Sequence, residues 1–325
     1  MIKNIEPLHK DNRNCYEDVI VTICNWFQRR YECIYEYSWA FEYERLETSN
    51  TFNLGKYLKY NNSKRRSLLC KYSGIEMINH KYEELDKGLK DIKIKLNNNI
   101  PIALTSMDMF WLYWTPHYKK SHGGHTIIAI DVDNESNIIC MDPYFKRKKL
   151  KLSIEDFNLS SSRKYISFNI VSDEMRYSDV NSIINSAVSE LLRKRNSENS
   201  FDNMRKFADD IKLYYNAKNE MKGYQDYFTV PIYNTIQRIG QGRKQFSELL
   251  VFLSENYSCN KNLLKKYSNS INLMGKKWDA LKVLFGKEVF LSDYTLVKNK
   301  APIKIYDIAN YEEEIAKEIF ECNFN

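Results

Sequence analysis

Gly123-Gly124-His125-Thr-Ile-Ile-Ala-Ile-Asp131-Val-Asp133-Asn134-Glu-Ser-Asn137-Ile-Ile-Cys140-Met141-Asp142-Pro143-Tyr144 sets the terms on which the rest of the chain is read. Two apolar runs, 126–130 and 138–141, are rich in β-branched residues and are separated by Asp, Asn, Glu and Ser. That is the pattern of a β-hairpin with a polar turn. A histidine opens the first strand and an aspartate closes the second. Antiparallel pairing lays those two ends side by side, so His125 and Asp142 are expected to be hydrogen-bonded. A carboxylate that fixes an imidazole's tautomer is two thirds of a nucleophilic triad, and the pattern asks for a nucleophile elsewhere.

Upstream, Val19, Ile20, Ile23, Phe27 and Tyr31 recur at helical spacing, with Asn14 as an N-cap and Glu17 three residues on in the capping-box arrangement. Cys15 therefore falls in the first turn of a mostly buried helix, where the unpaired N–H groups and the helix dipole favour a thiolate. Two readings stand at this position, a nucleophile and a small buried residue, and the helix start favours the nucleophile. Cys24, Cys33, Cys70, Cys140, Cys259 and Cys322 are read as structural.

The chain has 325 residues, enough for one large domain or two ordinary ones, and its 43% hydrophobic and 14% aromatic content is that of a globular protein. The net charge of +7 suits an acidic macromolecular partner or only a lysine-rich surface. No window of eighteen apolar residues occurs and the N-terminus lacks an apolar signal core, so no membrane partner is expected; no nucleic-acid partner is expected either. Seven cysteines without paired spacings fit a reduced, cytoplasmic protein.

Along the chain, Tyr31, Tyr35, Tyr37, Trp39, Phe41, Tyr43, Phe52 and Tyr57 form a dense aromatic series, read as core with one or two members reaching a cleft. Ser63-Lys64-Arg65-Arg66 reads as a solvated loop. Residues 82–96 form an amphipathic helix and 100–106 a buried strand. His117, His122 and His125 lie within nine residues, but no cysteine or carboxylate joins them at ligand spacing, so no metal is expected. Gly123-Gly124 is read instead as a loop that lets the backbone pass close to a substrate. After a further helical turn at 153–157 and a strand at 165–171, the periodicity turns helical, with helices expected at 180–195, 204–218, 246–256, 278–285 and 311–322. The expected organisation is an α+β domain over 1–172 followed by an all-α domain over 173–325.

A cysteine at a helix start, a histidine opening a strand about a hundred residues later, and Asp-Pro after the next strand resemble the papain-like cysteine enzymes of the C39 peptidase type. The resemblance implies Cys15 as nucleophile, His125 as base and Asp142 as orienting carboxylate. C39 enzymes carry an oxyanion-hole glutamine six residues before the cysteine; here that position is His9. His9, Asn14 and the Cys15 backbone N–H are thus the residues near the expected oxyanion. With the flanks included, Asp108-x5-Trp114-Thr-Pro116-x-Tyr118-x3-His122-Gly-Gly-His125 resembles the segment before the catalytic histidine in the butirosin-type acyltransferases, the BtrH group. Arg238-Ile-Gly240-Gln-Gly242-Arg243-x2-Phe246 resembles part of their helical second domain. A closthioamide-type amide synthase is a further relative in style.

The resemblance implies transfer of an acyl group from a carrier-protein thioester, through a Cys15 acyl-enzyme, to a small amine. No cofactor is implied beyond the phosphopantetheine that the substrate carries. Asp108, Trp111, Trp114, His122, Gly123 and Gly124 are the expected cleft residues, with Phe110 and Tyr113 beside them as a wall against water. Arg238 and Arg243 are read either as carrier anchors or as salt-bridge residues. The same triad serves a peptidase or thioesterase that uses water as acceptor, and a binding module with a decayed papain fold is the third reading.

Overall fold

The polar turn at Asp133 closes the hairpin as its composition requires. Its Oδ1 accepts the backbone N–H groups of Glu135 and Asn137 at 2.9 and 2.8 Å. This computed structural model describes residues 2–44, 53–60, 63–173, 180–224, 227–291 and 295–324. Phe52 of the aromatic series lies outside the described residues.

The first elements are α1 (Cys15–Trp26), β1 (Glu42–Tyr43), β2 (Leu58–Lys59), α2 (Arg65–Ser73), β3 (Ile75–Lys81) and α3 (Leu85–Asn97). Then come β4 (Ile102–Asp108), β5 (Gly124–Val132), β6 (Ile138–Asp142), β7 (Arg147–Leu152), α4 (Ile154–Ser160) and β8 (Lys164–Ile170). The remainder is helical: α5 (Val180–Leu192), α6 (Ser200–Tyr214), α7 (Ala217–Met221), α8 (Pro231–Asn256), α9 (Lys261–Leu291) and α10 (Leu296–Glu321). The chain is thus α+β with a helical C-terminal region.

Two compact units divide the chain: residues 1–33 with 66–176, and 34–65 with 177–325. The segment 34–65, placed by sequence with the first domain, belongs to the second unit. The reason is its aromatic residues. Trp39, Phe41 and Tyr43 are buried there, Phe41 packing against Trp278 and Phe207, and the Tyr43 hydroxyl donating to Asp210 at 2.7 Å.

The first unit holds a six-stranded antiparallel sheet in the order β3-β8-β4-β5-β6-β7. Helix α1 packs on β5 and buries Val19, Ile20 and Ile23, while α3 packs on β4 and β5 through Leu89, Ile92 and Leu96. Three irregularities interrupt the ladders, at 104–107 of β4, 129–131 of β5 and 140–142 of β6. Two of them adjoin the ends where His125 and Asp142 stand. Such bulges bend a strand and re-aim its side chains. Ser106, in the β4 bulge, has φ +53°, a left-handed backbone rarely taken by a residue with a side chain.

In the second unit, α8 and α9 are far longer than the stretches 246–256 and 278–285 that periodicity picks out. Glycines hide them. A Cβ at Gly242 would lie 2.1 Å from the Ser38 carbonyl oxygen, and one at Gly240 3.1 Å from the Gly275 oxygen. Glycine is required there by close approach within a helix, not by a turn. Helix α10 likewise runs through Pro302, a helix breaker on sequence grounds. Arg65, read as solvated, is buried at the start of α2, where its Nη2 donates to Gln245 Oε1 at 2.9 Å.

Candidate active site

Asn14 and Glu17 form the capping box that starts α1: Asn14 Oδ1 accepts the Glu17 N–H and Glu17 Oε2 accepts the Asn14 N–H, both at 3.0 Å. Cys15 is thereby fixed as the first helical residue, on the helix that packs against β5. Asn14 Oδ1 is spent on the cap.

Across from it, the His125 Nε2–H donates to Asp142 Oδ2 at 2.8 Å. The β5–β6 register pairs Ile128 with Met141, which makes His125 and Asp142 diagonal neighbours at the end of the hairpin. With Nε2 given to the carboxylate, Nδ1 is left for the thiol, and the Cys15 side chain is within hydrogen-bonding reach of the ring. Cys15, His125 and Asp142 thus lie in one bonded chain.

Electrostatics follow from that chain. Burial alone would raise the Cys15 thiol. The hydrogen bond and charge of His125, with the backbone N–H of Thr126, outweigh burial and the opposing Asp142 charge, and the thiol lies below its usual range. Burial would depress His125, but the bonds to Asp142 and Cys15 overcome it and push the imidazole up to about 10. The two shifts run in the direction of a thiolate beside an imidazolium, the pairing that activates a cysteine. Cys140 is the contrast. Full burial and the nearby Asp142 charge push its thiol far above the usual range.

Asp142 is itself fully buried and accepts two further donors, Trp114 Nε1–H on Oδ2 at 2.8 Å and the Phe145 N–H on Oδ1 at 3.2 Å. Three donors fix the carboxylate's orientation, so Trp114 is a support of the carboxylate as well as a residue of the expected cleft. Sequence reasoning also missed Tyr144 and Phe145, whose rings pack against His125 with centroids 6.0 and 5.4 Å away. Their place directly after Asp142-Pro143 was the available signal.

His9 lies beside this group. Its Nδ1 is 2.6 Å from Oδ2 of the buried Asp18, one turn along α1 from Cys15, and its ring meets Tyr144 edge-on at 4.9 Å. Burial pushes the Asp18 carboxyl up to about 6, against the pull of His9 and Arg13.

The other expected cleft residues shape the 109–123 loop. Asp108 accepts His122 Nδ1–H at 2.7 Å and the Phe110 and Gly123 N–H groups at 3.2 Å, tying the loop's two ends together. These bonds, led by His122, overcome partial burial and hold the Asp108 carboxyl below the usual range. Gly124 is a correction: it is the first residue of β5, paired with Asp108, rather than part of the loop. Neither Gly123 nor Gly124 has a positive φ among the described residues. Of the aromatic residues expected to wall the cleft, Tyr113 is 49% exposed, and Tyr144 and Phe145 add rings packed against His125.

His117 bonds Ser121 through Nδ1 at 2.8 Å, and among the described residues no group of three or more His, Cys, Asp or Glu side chains is placed to hold a metal ion. No described helix is long and apolar enough to cross a membrane. Arg243 is a correction too. It is fully buried in a bidentate pair with Glu312, Nε to Oε1 at 3.0 Å and Nη2 to Oε2 at 2.8 Å, and cannot meet a carrier. Arg238 is exposed, its Nε donating to Asn234 Oδ1 at 2.8 Å.

Residues 37–143 match the family model described as butirosin biosynthesis protein H, N-terminal. The likeness to the butirosin-type group is thereby supported over about a third of the chain, a stretch that includes His125 and Asp142 and begins after Cys15. No curated protein matches the sequence.

Proposed function

We propose that the protein is a cysteine-dependent acyltransferase that makes amide bonds in natural-product biosynthesis, in a papain-like first unit. The observation that carries this reading is the bonded chain Cys15–His125–Asp142, with its thiol lowered and its imidazole raised. The family match points the same way, to a biosynthetic, acyltransferase-like enzyme.

The proposed cycle moves one acyl group and returns every proton. The Cys15 thiolate attacks the carbonyl carbon of an acyl thioester, the carbon–sulfur bond to the carrier thiol breaks, and His125 Nδ1–H protonates that leaving thiolate. Exchange of one thiol for another changes the energy little. The acceptor amine then attacks the acyl-enzyme, neutral His125 Nδ1 takes the amine proton, and the Cys15 thiolate leaves to restore the ion pair. The Cys15 backbone N–H at the helix start and the neighbouring His9 are the proposed donors to the oxyanion. The acyl donor is a carrier-protein thioester, with the exposed Arg238 retained as a candidate carrier anchor.

Transfer is separated from hydrolysis by product analysis. The enzyme is given an acyl thioester with and without a panel of primary amines, and products are followed by mass. Amide formation that outruns free-acid release supports this reading. Free acid alone across the panel, or peptide cleavage, replaces it with the hydrolase reading.

A further inference from the structure

The loop between Asp108 and His122 contains a feature that the triad does not use. The ammonium of Lys119 lies 3.3 Å from the centroid of the Trp111 ring, 5.2 Å from that of Phe110 and 5.6 Å from that of Tyr118. Among the described residues no carboxylate pairs with it. Three π-faces around one nitrogen, with no anion, are the surroundings that recognise an alkylammonium by its charge and its C–H shell together.

We propose that Phe110, Trp111 and Tyr118 form a binding subsite for a ligand's alkylammonium group, and that Lys119 fills it in the free protein. The occupant is held under strain and the receptor is braced. Lys119 has φ +56°, a left-handed backbone that a residue with a side chain adopts at a cost, and such outliers gather at functional sites. The Phe110 ring is stacked on His122 at 4.5 Å and 14°, and His122 is bonded to Asp108. The Lys119 N–H also donates to the Phe110 carbonyl at 3.0 Å. Swinging the flexible lysine stem away therefore leaves the rings in place. The subsite stands next to the chemistry in sequence and register: Asp108, two residues before Phe110, pairs with Gly124, the neighbour of His125.

The ligand class follows. An acceptor that reacts through one neutral amine and carries a second, protonated amine would seat the second group in the cage and displace Lys119. This assignment to the acceptor rests on the acyl-transfer reading; the subsite itself does not.

The experiment therefore measures binding and transfer separately. The indole N–H resonance of Trp111 is followed in the full-length protein while tetramethylammonium chloride is added, with sodium chloride at equal ionic strength as control. Lys119→Gly, which suits the left-handed backbone, and Lys119→Gln are expected to show saturable shifts at about tenfold lower concentration than wild type. Adding Phe110→Leu to either is expected to weaken them. No saturable shift in either folded Lys119 variant, or a shift indifferent to Phe110→Leu, overturns the subsite. Transfer is then compared for a diamine and a monoamine of equal length. A KM lowered by Lys119→Gln for the diamine alone, with kcat held, supports the acceptor assignment. Equal changes for both amines overturn it.

Discussion

Two buried carboxylates in this protein are dressed alike and behave differently. Asp142, in the first unit, takes an indole N–H from Trp114, a ring N–H from His125 and a backbone N–H from Phe145. Glu312, in the second, takes indole N–H groups from Trp39 and Trp278 and a bidentate pair from Arg243. Both are fully buried. The difference lies in the partner. Arg243 directs its donors inward, to both Glu312 oxygens and the Ala40 carbonyl, so the Glu312 cluster holds the helices together. His125 exchanges protons and has a second ring nitrogen facing a thiol. Similar hydrogen-bond chemistry therefore gives a structural pin in one place and a carboxylate bonded to a titratable ring beside a thiol in the other.

The largest expected effect attacks the reactive side of that comparison. Asp142→Asn keeps the shape but removes the charge and hydrogen bond that raise the His125 imidazole beside the Cys15 thiol. Acylation should fall by about 10²–10⁴-fold with melting behaviour nearly unchanged. Its rival is a turn-forming role ahead of Pro143, and unchanged turnover with altered melting would establish the rival.

Glu312→Gln attacks the structural side. It leaves the buried Arg243 charge unmatched and should cost about 3–5 kcal/mol in chemical denaturation, while acylation per folded molecule is unaltered. A rate loss without a stability loss would erase the distinction between the two clusters.

A third buried acid sharpens it through pH. Burial pushes Glu220 up to about 7, against the pull of the Gly55 and Leu54 N–H groups that it accepts. The folded protein thus keeps this proton where the unfolded chain, near 4.5, has released it. The resulting stability is present below the unfolded value and lost as the pH rises through about 7. Over that window the change is about 3 kcal/mol. Urea midpoints of Glu220→Gln should lack this part of the slope, and an unaltered slope would count against Glu220 as its source.

Trp114→Phe should give the smallest effect, since Asp142 keeps two of its three donors. Loss of one hydrogen bond to a buried charge corresponds to about a tenfold fall in kcat. A fall confined to KM would return Trp114 to the role of a cleft wall.

How far these roles could be read in the chain depended on sequence distance. The capping box is written within four residues and the hairpin within twenty, and both readings agree with the structure. Strand β3 was missed because it lies at the sheet edge, where its burial does not alternate cleanly. The β4 and β6 bulges beside His125 and Asp142 leave no compositional trace. Arg243 could be read either as a carrier anchor or as a salt-bridge residue, and the second holds; the choice could not be made in the sequence because its partner is 69 residues away. Trp114 is legible as a residue near the site but not its bond to Asp142, for an aromatic run states burial and not which carboxylate an indole will meet.

Intact-mass analysis of acyl-enzyme tests the central claim most directly. Wild-type protein mixed with an acyl thioester in the absence of amine should gain one acyl mass, mapped by peptide digestion to Cys15 and discharged as amide when amine is added. Cys15→Ala should gain nothing and make no product. An adduct on another residue, or transfer that survives in Cys15→Ala, would contradict the account.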